Sequence, residues 1–204
     1  MSKTLFLFAV LFCSISLLAG DATTPKAEVF GGYSYLRSSG NGFNGWEGQV
    51  TGWLSPYLGI TGDFSGHYRS TDFTEPTTGV SVSADQNLHT FLAGPTLAGR
   101  FGNHAVFGHA LFGAARYSVS GNVDIPIVGG ISTGIDSATK FAMVFGGGFD
   151  LGISPRFAIR PAQLDYLYTR FNNLEAIGAG FSTTNGHQNS FRYSAGVVFR
   201  FGGD

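Results

Sequence analysis

The amino-acid sequence predicts an all-β protein, an eight-stranded antiparallel up-and-down transmembrane β-barrel that is preceded by a cleaved signal peptide. Three observations support this prediction. Apolar and polar residues alternate with a period of two, short turns alternate with longer connections, and charged residues make up only 12% of the chain. Period-two alternation is typical of strands with two unlike faces. Soluble domains contain about 25% charged residues, so this chain has few charges with which to cover a surface in water.

The overall charge excludes one class of partner. The chain has 12 Lys and Arg residues and 13 Asp and Glu residues, which gives a formal charge of −1. Proteins that bind nucleic acid carry a basic patch or stripe, and this sequence does not indicate one. We therefore expect no nucleic-acid partner.

The first 22 residues have the features of a secretory signal peptide. Lys3 precedes an apolar run from Leu5 to Leu18, and the small residues Gly20 and Ala22 follow it. We expect cleavage after Ala22, so that residues 1–22 are the signal peptide and residues 23–204 the barrel domain. The alternative, an N-terminal helical anchor, is disfavoured because the run is shorter than the roughly 17–25 residues that span a bilayer.

Cysteine chemistry is not expected in the exported chain. Cys13 is the only cysteine, and it lies inside the predicted signal peptide. The mature protein is therefore predicted to form no disulfide and to use no thiol in catalysis.

The first three strands follow from alternation and turn residues. Strand one is predicted from Ala27 to Arg37, and the turn-rich segment Ser38 to Gly45 follows it. The stretch from Trp46 to Arg69 predicts a hairpin, with Ser55-Pro56-Tyr57 as its tight turn. Its apolar face carries Trp46, Val50, Leu54, Leu58, Ile60 and Phe64, and its polar face carries Glu47, Gln49, Thr51, Asp63, Ser65 and His67.

The middle of the chain predicts three further strands. The polar stretch Ser70 to Asn87 is interpreted as a long loop, and Leu88 to Phe101 as strand four. After a short turn near residue 103, Ala105 to Ser118 is predicted as strand five, with no assignment of its faces. The segment Gly121 to Ser137 is too apolar for a plain loop, and it predicts a hairpin that projects beyond the membrane.

The last three strands complete the count of eight. Strand six is predicted from Lys140 to Gly152, and Ser154-Pro155-Arg156 repeats the chemistry of the first tight turn. Strand seven runs from Phe157 to Arg170, and a polar loop from Asn172 to Asn185 precedes the final strand, which ends at Phe201. Short turns near residues 56, 103 and 155 thus alternate with longer connections, which is typical of membrane β-barrels.

The apolar face is predicted to contact lipid. The sequence contains no helix or second sheet to cover it, whereas a closed barrel pairs every backbone group inside a bilayer. Aromatic residues gather near the strand ends, as in the girdles of membrane barrels. The predicted girdle residues are Tyr33, Tyr35, Trp46, Tyr68, Tyr166 and Tyr168 toward the loops, and Phe101, Phe157 and Phe201 toward the turns. A soluble lipocalin-like barrel would turn the apolar face inward; the girdles and the signal peptide argue against it.

Charged residues of the other face are predicted to form a network in the lumen. Near the periplasmic end we expect Glu28, Arg100, Asp150 and Arg200, and above them Asp63, Asp165 and Arg192. Such a set is compatible with an ion gate. We favour mutual pairing, because an eight-stranded barrel is just wide enough for side chains to fill and because burying an unpaired charge is costly.

No catalytic, cofactor or metal site is predicted. The histidines are scattered, with no two at metal-ligand spacing; they are His67, His89, His104, His109 and His187. Asp165 with Tyr166 and His67 with Asp63 remain open as constellations, but abundant serine and aspartate create such sets by chance. The glycine run Gly146 to Gly148 lies within a strand pattern, so phosphate binding is disfavoured.

Four stretches resemble the small OmpA/OmpX-like outer-membrane β-barrel family. They are AEVFGGYSYLR from Ala27, FLAGPTLAGRF ending at Phe101, RPAQLDYLYTRF from Arg160 and FRYSAGVVFRF ending at Phe201. The resemblance covers Ala27 to Phe201 and implies the outer membrane of a Gram-negative-type bacterium, with lipid and lipopolysaccharide around the barrel. It also implies the barrel assembly machinery as a partner, which reads an aromatic at the end of the last strand; here Phe201 is followed by three further residues.

The functional hypothesis is an integral outer-membrane protein with a structural and surface-interaction role and no catalysis. We expect contacts with an extracellular ligand through Ser70 to Asn87 and Gly121 to Ser137. Two alternatives remain. A narrow porin-like channel would need a water path past Asp63, Asp165 and Arg192. A lipid-modifying enzyme would need a serine or histidine at the outer rim, and His187 lacks the serine that the lipid A deacylases carry two residues after their histidine.

Overall fold

The described part of the chain consists of strands and their turns. The computed structural model describes residues 24–38, 40–74, 81–125, 129–170 and 188–202. Its strands are β1 Ala27–Ser38, β2 Asn41–Trp53, β3 Leu58–Thr74, β4 Ser81–Phe101, β5 His104–Ile125, β6 Gly129–Ser154, β7 Phe157–Thr169 and β8 Gln188–Phe201. Across these ranges, no helix is long and apolar enough to cross a membrane. The predicted signal peptide with Cys13, the predicted loop 172–185, His187 and residues 203–204 lie outside the described residues.

The strands form one closed antiparallel barrel in which each strand pairs with its neighbours in sequence. Strands β1 and β8 close the barrel, with pairing from Ala27 opposite Phe201 to Ser38 opposite Ser190. The predicted eight-stranded up-and-down barrel is therefore confirmed. Three short turns, over residues 54–57, 102–103 and 155–156, lie at the same end as Ala27 and Phe201. We call this the turn end and the opposite one the loop end.

Four strands extend past their neighbours at the loop end. Strands β3, β4, β5 and β6 contain 17, 21, 22 and 26 residues, whereas β1, β2, β7 and β8 contain 12 to 14. The pairing of β2 with β3 ends at Asn44 opposite Tyr68, and that of β6 with β7 at Ala142 opposite Thr169. The extended parts, residues 69–74, 81–86, 119–125 and 129–140, form what we call the projecting sheet.

The projecting sheet corrects one prediction and agrees with another. The long loop predicted over Ser70 to Asn87 is wrong for most of its length, because β3 continues to Thr74 and β4 begins at Ser81. Similarly, the turn predicted over Ser38 to Gly45 is shorter, since β2 begins at Asn41 after Gly40, whose φ is +84°. The hairpin predicted within Gly121 to Ser137 is present, with β5 ending at Ile125 and β6 beginning at Gly129.

The two faces of the strands lie on the predicted sides. Leu58, Ile60 and Phe64 of β3 are exposed on the outer wall, as are Phe199 and Phe201 of β8. Alternation also assigns β5, whose faces the sequence left open: Val106 and Phe112 point outward, whereas Phe107, Leu111 and Ala115 are buried inside. An apolar surface therefore surrounds the barrel, and polar groups are concentrated in its interior.

The interior differs between the two ends. Toward the turn end it is filled by charged and amide side chains. Toward the loop end a buried apolar cluster fills it, which we call the apolar cap: Leu36, Phe43, Leu88, Leu92, Leu111, Ala115, Tyr117, Val119, Ala142, Val144 and Leu167. The lumen charges were predicted, whereas the apolar cap was not. Polar side chains are also buried at the loop end, where Gln188 and Ser190 donate to Ser38 Oγ at 2.6 and 2.7 Å.

Candidate functional site

The lowest layer of the lumen is an ion cluster centred on Glu28. Arg100 donates to Glu28 Oε1 at 3.2 Å and Arg200 donates to the same oxygen at 2.9 Å. Trp53 donates its indole N–H to Glu28 Oε2 at 2.9 Å, and the Arg100 guanidinium lies 4.5 Å from the centre of the Trp53 ring. Because Glu28 and Arg200 are register partners on β1 and β8, this layer joins the first strand to the last.

Arg160 forms the next layer and connects several strands. It donates to both oxygens of Asp150, at 2.7 and 3.2 Å. Its Nη1 donates to the side-chain oxygens of Gln49 and Gln163, both at 2.8 Å. The guanidinium also lies 4.4 Å from the centre of the Phe30 ring and 4.1 Å from that of Phe107.

The middle of the lumen holds what we call the central cluster, three carboxylates around Arg192. Its guanidinium donates to both oxygens of Asp63, at 3.1 and 2.9 Å, and to Asp165 at 2.7 Å. Glu47 lies 3.3 Å from Arg192 Nη2. All four side chains are fully buried. Charge-assisted contacts of this kind are the strong ones in a dry interior.

Neutral donors complete the central cluster. Gln49 and Gln163 each donate to Glu47 Oε1 at 2.7 Å, and Ser194 donates to Glu47 Oε2. Gln163 also donates to Asp165 at 2.8 Å. These bonds matter because three carboxylates face one guanidinium, and a buried carboxylate is costly unless hydrogen bonds satisfy its oxygens.

Two buried histidines border the central cluster from different layers. His109 Nε2 lies 2.9 Å from Asp165 Oδ1, whereas His67 Nε2 lies 2.9 Å from Ser34 Oγ. The Nδ1 atom of each ring has no hydrogen-bond partner. The sequence left two constellations open. In the first, His67 contacts Ser34 and Asp63 contacts Arg192. In the second, Asp165 contacts His109 and Arg192.

Little space is left between these side chains. One small cavity, lined among others by Glu28, Thr61, His109, Asp150 and Arg160, has a volume of about 10 Å³. A cavity of this size is at the lower limit for holding one water molecule. Among the described residues, no group of three His, Cys, Asp or Glu side chains is placed to hold a metal ion.

The structure brings the seven predicted lumen charges together in two groups. Glu28, Arg100 and Arg200 are in contact at the turn end, with Asp150 3.9 Å from Arg200, and Asp63, Asp165 and Arg192 are in contact above them. The prediction did not include Glu47 or Arg160. Glu47 was visible on the polar face of the hairpin, whereas the position of Arg160 depends on a register shift between Arg160 and Gln163.

The predicted girdle residues lie on the outer wall. Tyr33, Tyr35, Trp46, Tyr68, Tyr166 and Phe201 are exposed, and Tyr168 is half-buried. Near the loop end Trp46 Nε1 donates to the Tyr68 hydroxyl at 3.4 Å, and this hydroxyl lies 3.2 Å from His89 Nε2. Polar tips on apolar rings suit the boundary between lipid and water.

Comparisons with known proteins agree with this architecture. The family model described as outer membrane protein beta-barrel domain matches residues 5–201. The attachment invasion locus protein Ail of Yersinia pestis has a similar structure, with a TM-score of 0.50 and 18% identity over 86% of this chain and 99% of that one. The outer membrane protein OprG of Pseudomonas aeruginosa gives a TM-score of 0.50 and 10% identity over 88% and 97%. No curated protein matches the sequence significantly. At these identities the two solved structures support the fold alone.

Proposed function

The chain belongs to the outer membrane protein beta-barrel family and is located in the outer membrane of a Gram-negative-type bacterium; from this premise we propose a structural and surface-contact role, with no channel and no catalysis. The turn end faces the periplasm and the loop end faces outward, as is general for such barrels. The observation that carries the proposal is the filled lumen. The barrel assembly machinery and lipopolysaccharide are the partners that we expect during insertion and in the membrane.

The packing of the lumen supports a role other than conduction. An ion that crosses the barrel would have to pass the Arg160 layer, the central cluster and the apolar cap. In the central cluster Arg192 reaches β3 and β7 from β8, through Asp63 and Asp165. Apart from the Tyr117 hydroxyl, the side chains of the apolar cap carry no polar group that could replace the hydration shell of an ion, so its passage would be costly.

The contacts of the histidines support a non-catalytic role. Acyl transfer by a serine needs a histidine that contacts both the nucleophile and an orienting acid. His67 contacts Ser34, but its second nitrogen has no partner; His109 contacts Asp165, and its second nitrogen has none either. Both rings are almost fully buried in the lumen, away from the lipid on which an enzyme of this class would act.

The projecting sheet supports a role in surface contact. Among the described residues, no neighbouring strand covers the edges of its outer strands, because β2 pairs with β3 only up to Tyr68 and β7 pairs with β6 only from Ala142. Uncovered strand edges present unpaired N–H and C=O groups, to which an extended segment of a partner can add. We therefore place the contact surface on residues 69–74 and 129–140, within or next to the two predicted contact segments.

Conductance in planar bilayers tests the absence of a channel. The refolded protein is expected to give no discrete current steps at any voltage that the membrane withstands. The matched variant combines Leu36→Ala, Leu92→Ala and Leu111→Ala, which empties the apolar cap while leaving the ion clusters intact. If the wild-type protein gives regular steps that vanish when Arg192 or Asp63 is replaced, the lumen conducts and the proposal is wrong.

Shortening the hairpin of β5 and β6 tests the surface role. Residues 121–133 are replaced by Asn-Gly, which joins the register partners Ser120 and Gly134 through a two-residue turn. The shortened protein is expected to insert and to restore detergent resistance to a strain that lacks the gene, because the barrel is unchanged. It is expected to lose binding to immobilised extracellular-matrix proteins and glycans that the full-length chain binds. Equal binding by both proteins would contradict the role of this sheet.

A further inference from the structure

The outer wall of the barrel contains a groove across β4, β5, β6 and β7, with a volume of about 580 Å³. Its floor is made of small outward-facing residues, Gly108 and Ala110 on β5 and Gly147 on β6. Gly108 and Gly147 are register partners, so that two residues without side chains lie next to each other. Leu97 on β4 and Leu164 on β7 rise on the two sides. The volume falls in the range of about 300–1,000 Å³ that is usual for ligand sites.

The position of the groove determines the chemistry of its occupant. The groove is continuous with the apolar belt that contacts lipid, since the exposed rings of Phe145 and Phe149 belong to the same strand as Gly147. Ala110 lies opposite Phe145, in the part of the wall that the hydrocarbon surrounds. Groups that enter the groove from the membrane are therefore acyl chains.

Two cations lie above the groove on the strands that build it. Arg116 of β5 and Arg170, which follows β7, are exposed on the outer wall. They flank β6: Arg116 lies opposite Thr139, and the backbone N–H of Arg170 donates to Phe141 O at 3.1 Å. The Arg116 guanidinium makes one long hydrogen bond, to Ser137 Oγ at 3.4 Å. Both cations are therefore accessible to an anionic headgroup.

The vertical spacing fits one lipid leaflet. Six residues separate Phe141 from Gly147 on β6, a path of about 20 Å along a strand. With a strand tilt of about 35–45°, this corresponds to a depth of about 15 Å, half of the roughly 30 Å hydrocarbon core. A lipid whose phosphate contacts Arg116 and Arg170 would thus place the end of its acyl chain in the groove.

We propose that the groove and the two arginines form a binding site for a phosphorylated glycolipid of the outer leaflet, of the lipid A class. The phosphate pairs with Arg116 and Arg170, and an acyl chain lies over Gly108, Ala110 and Gly147. The inference rests on the outward orientation of the loop end and gives a place to the lipopolysaccharide partner of the proposed function. Since both parts of the site face the membrane, it is separate from the proposed contact role of the projecting sheet.

Native mass spectrometry of the full chain with added lipid tests the site. The probe is hexa-acylated lipid A with two phosphates, and phosphatidylglycerol represents the phospholipid of the inner leaflet. Ala110→Trp fills the groove and is expected to lower lipid A binding about tenfold, since such discrimination follows from the loss of a few well-packed methylene contacts. The double variant Arg116→Gln with Arg170→Gln is expected to lower it by a similar factor, and phosphatidylglycerol to bind weakly throughout.

Two matched variants control for general effects. Ala93→Trp adds the same ring on the exposed wall of β4, where Ala93 lies opposite Phe112 and outside the groove. Arg37→Gln removes an exposed cation of β1. Both are expected to bind lipid A like the wild type, and Ala110→Leu replaces Ala110→Trp if the latter does not fold. Three results would overturn the proposal. Ala110→Trp and Ala93→Trp could lower lipid A binding equally, or phosphatidylglycerol could bind as strongly as lipid A. Alternatively, Ala110→Trp could remove the mass of a protein dimer and leave the lipid-bound mass unchanged.

Discussion

Arg192 is the residue on which the organisation of the lumen depends most. Its side chain is fully buried and contacts carboxylates from β2, β3 and β7, so one guanidinium links four strands when its own β8 is included. The planar fork of an arginine suits such multiple contacts better than the single ammonium of a lysine. A buried ion pair adds little stability compared with an apolar core, but the removal of one partner is strongly destabilising.

Replacement of Arg192 therefore tests the interior directly. Arg192→Met is expected to lower the free energy of unfolding by about 3–5 kcal/mol, because Glu47, Asp63 and Asp165 are left buried without their common cation. Adding Asp63→Asn and Asp165→Asn to the same chain is expected to restore most of the loss. Urea unfolding in lipid vesicles, followed by the gel shift between folded and heated protein, measures both effects.

The control for this prediction is Arg37→Met, which removes an exposed arginine of β1. A surface substitution of this kind is expected to change the free energy of unfolding by less than about 0.5 kcal/mol. If Arg192→Met cost no more than Arg37→Met, the central cluster would not contribute to the stability of the barrel.

Arg160 illustrates what a sequence pattern does not reveal at the level of single residues. In β7 every second residue is buried, as Ala158 and Arg160 are, but the next buried residue is Gln163. The period of two in the burial pattern is therefore interrupted between Arg160 and Gln163. The interruption coincides with register shifts on both sides of β7, next to Pro161. Strict alternation counted back from Leu164 assigns Arg160 to the lipid side. The sequence therefore predicted Asp63, Asp165 and Arg192 as one group and omitted Arg160.

The seam between β1 and β8 depends on glycine at the scale of the element. Gly32 and Gly196 are register partners, and both occupy inward-facing positions. A Cβ on Gly196 would lie within contact distance of the backbone of Gly31 and Gly32, and one on Gly32 would contact the backbone of Ala195. The two strands that close the barrel thus approach each other closely where their side chains are absent.

We expect Gly196→Ala to weaken this seam. The added methyl group forces the backbones apart, which should lower the free energy of unfolding by about 1–3 kcal/mol, the usual cost of overpacking. The matched control is Gly31→Ala on the same seam, because a Cβ at Gly31 meets nothing within 4 Å. Urea titration of both variants, together with the yield of refolded protein, gives the comparison. Equal costs at the two positions would show that the close approach is unimportant.

Strand positions inside the membrane could be predicted from the sequence, whereas the polar extensions of β3 and β4 outside it could not. In β3 the exposed residues Ile60 and Phe64 alternate with buried Thr61, Asp63 and Ser65, since one face contacts lipid and the other the lumen. Above Tyr68 the strand continues through Ser70, Thr71 and Asp72, which are all exposed. Where both faces of a strand contact water, the apolar half of the pattern disappears, and the sequence resembles a loop.

At the scale of the whole molecule, the barrel combines an apolar exterior with an interior that is closed in two different ways. Ion pairs link the strands toward the turn end, and the apolar cap packs the lumen toward the loop end. Side chains pack both regions of the described barrel, so the surfaces that we propose for interaction are the outer wall and the projecting sheet. On the proposed function, ligands reach the protein from the lipid and from the extracellular side.

The orientation of the apolar face toward lipid makes a prediction for the molecule as a whole. Phe64 lies near the middle of the outer wall of β3, packed edge-to-face against Phe91 at 6.0 Å, and the exposed Tyr68 of the same strand is one of the predicted girdle residues. A charge in the middle of the bilayer costs about 2–4 kcal/mol in such barrels, but only about 0–1 kcal/mol near the interface. Phe64→Arg is therefore expected to be about 2–4 kcal/mol less stable than Phe64→Ala. Tyr68→Arg is expected to be only about 0–1 kcal/mol less stable than Tyr68→Ala. Unfolding in phospholipid vesicles measures the four variants, and the alanine variants remove the contribution of the lost rings. Similar costs of arginine at both depths would mean that hydrocarbon does not surround Phe64, and a water-soluble barrel would then be the better description.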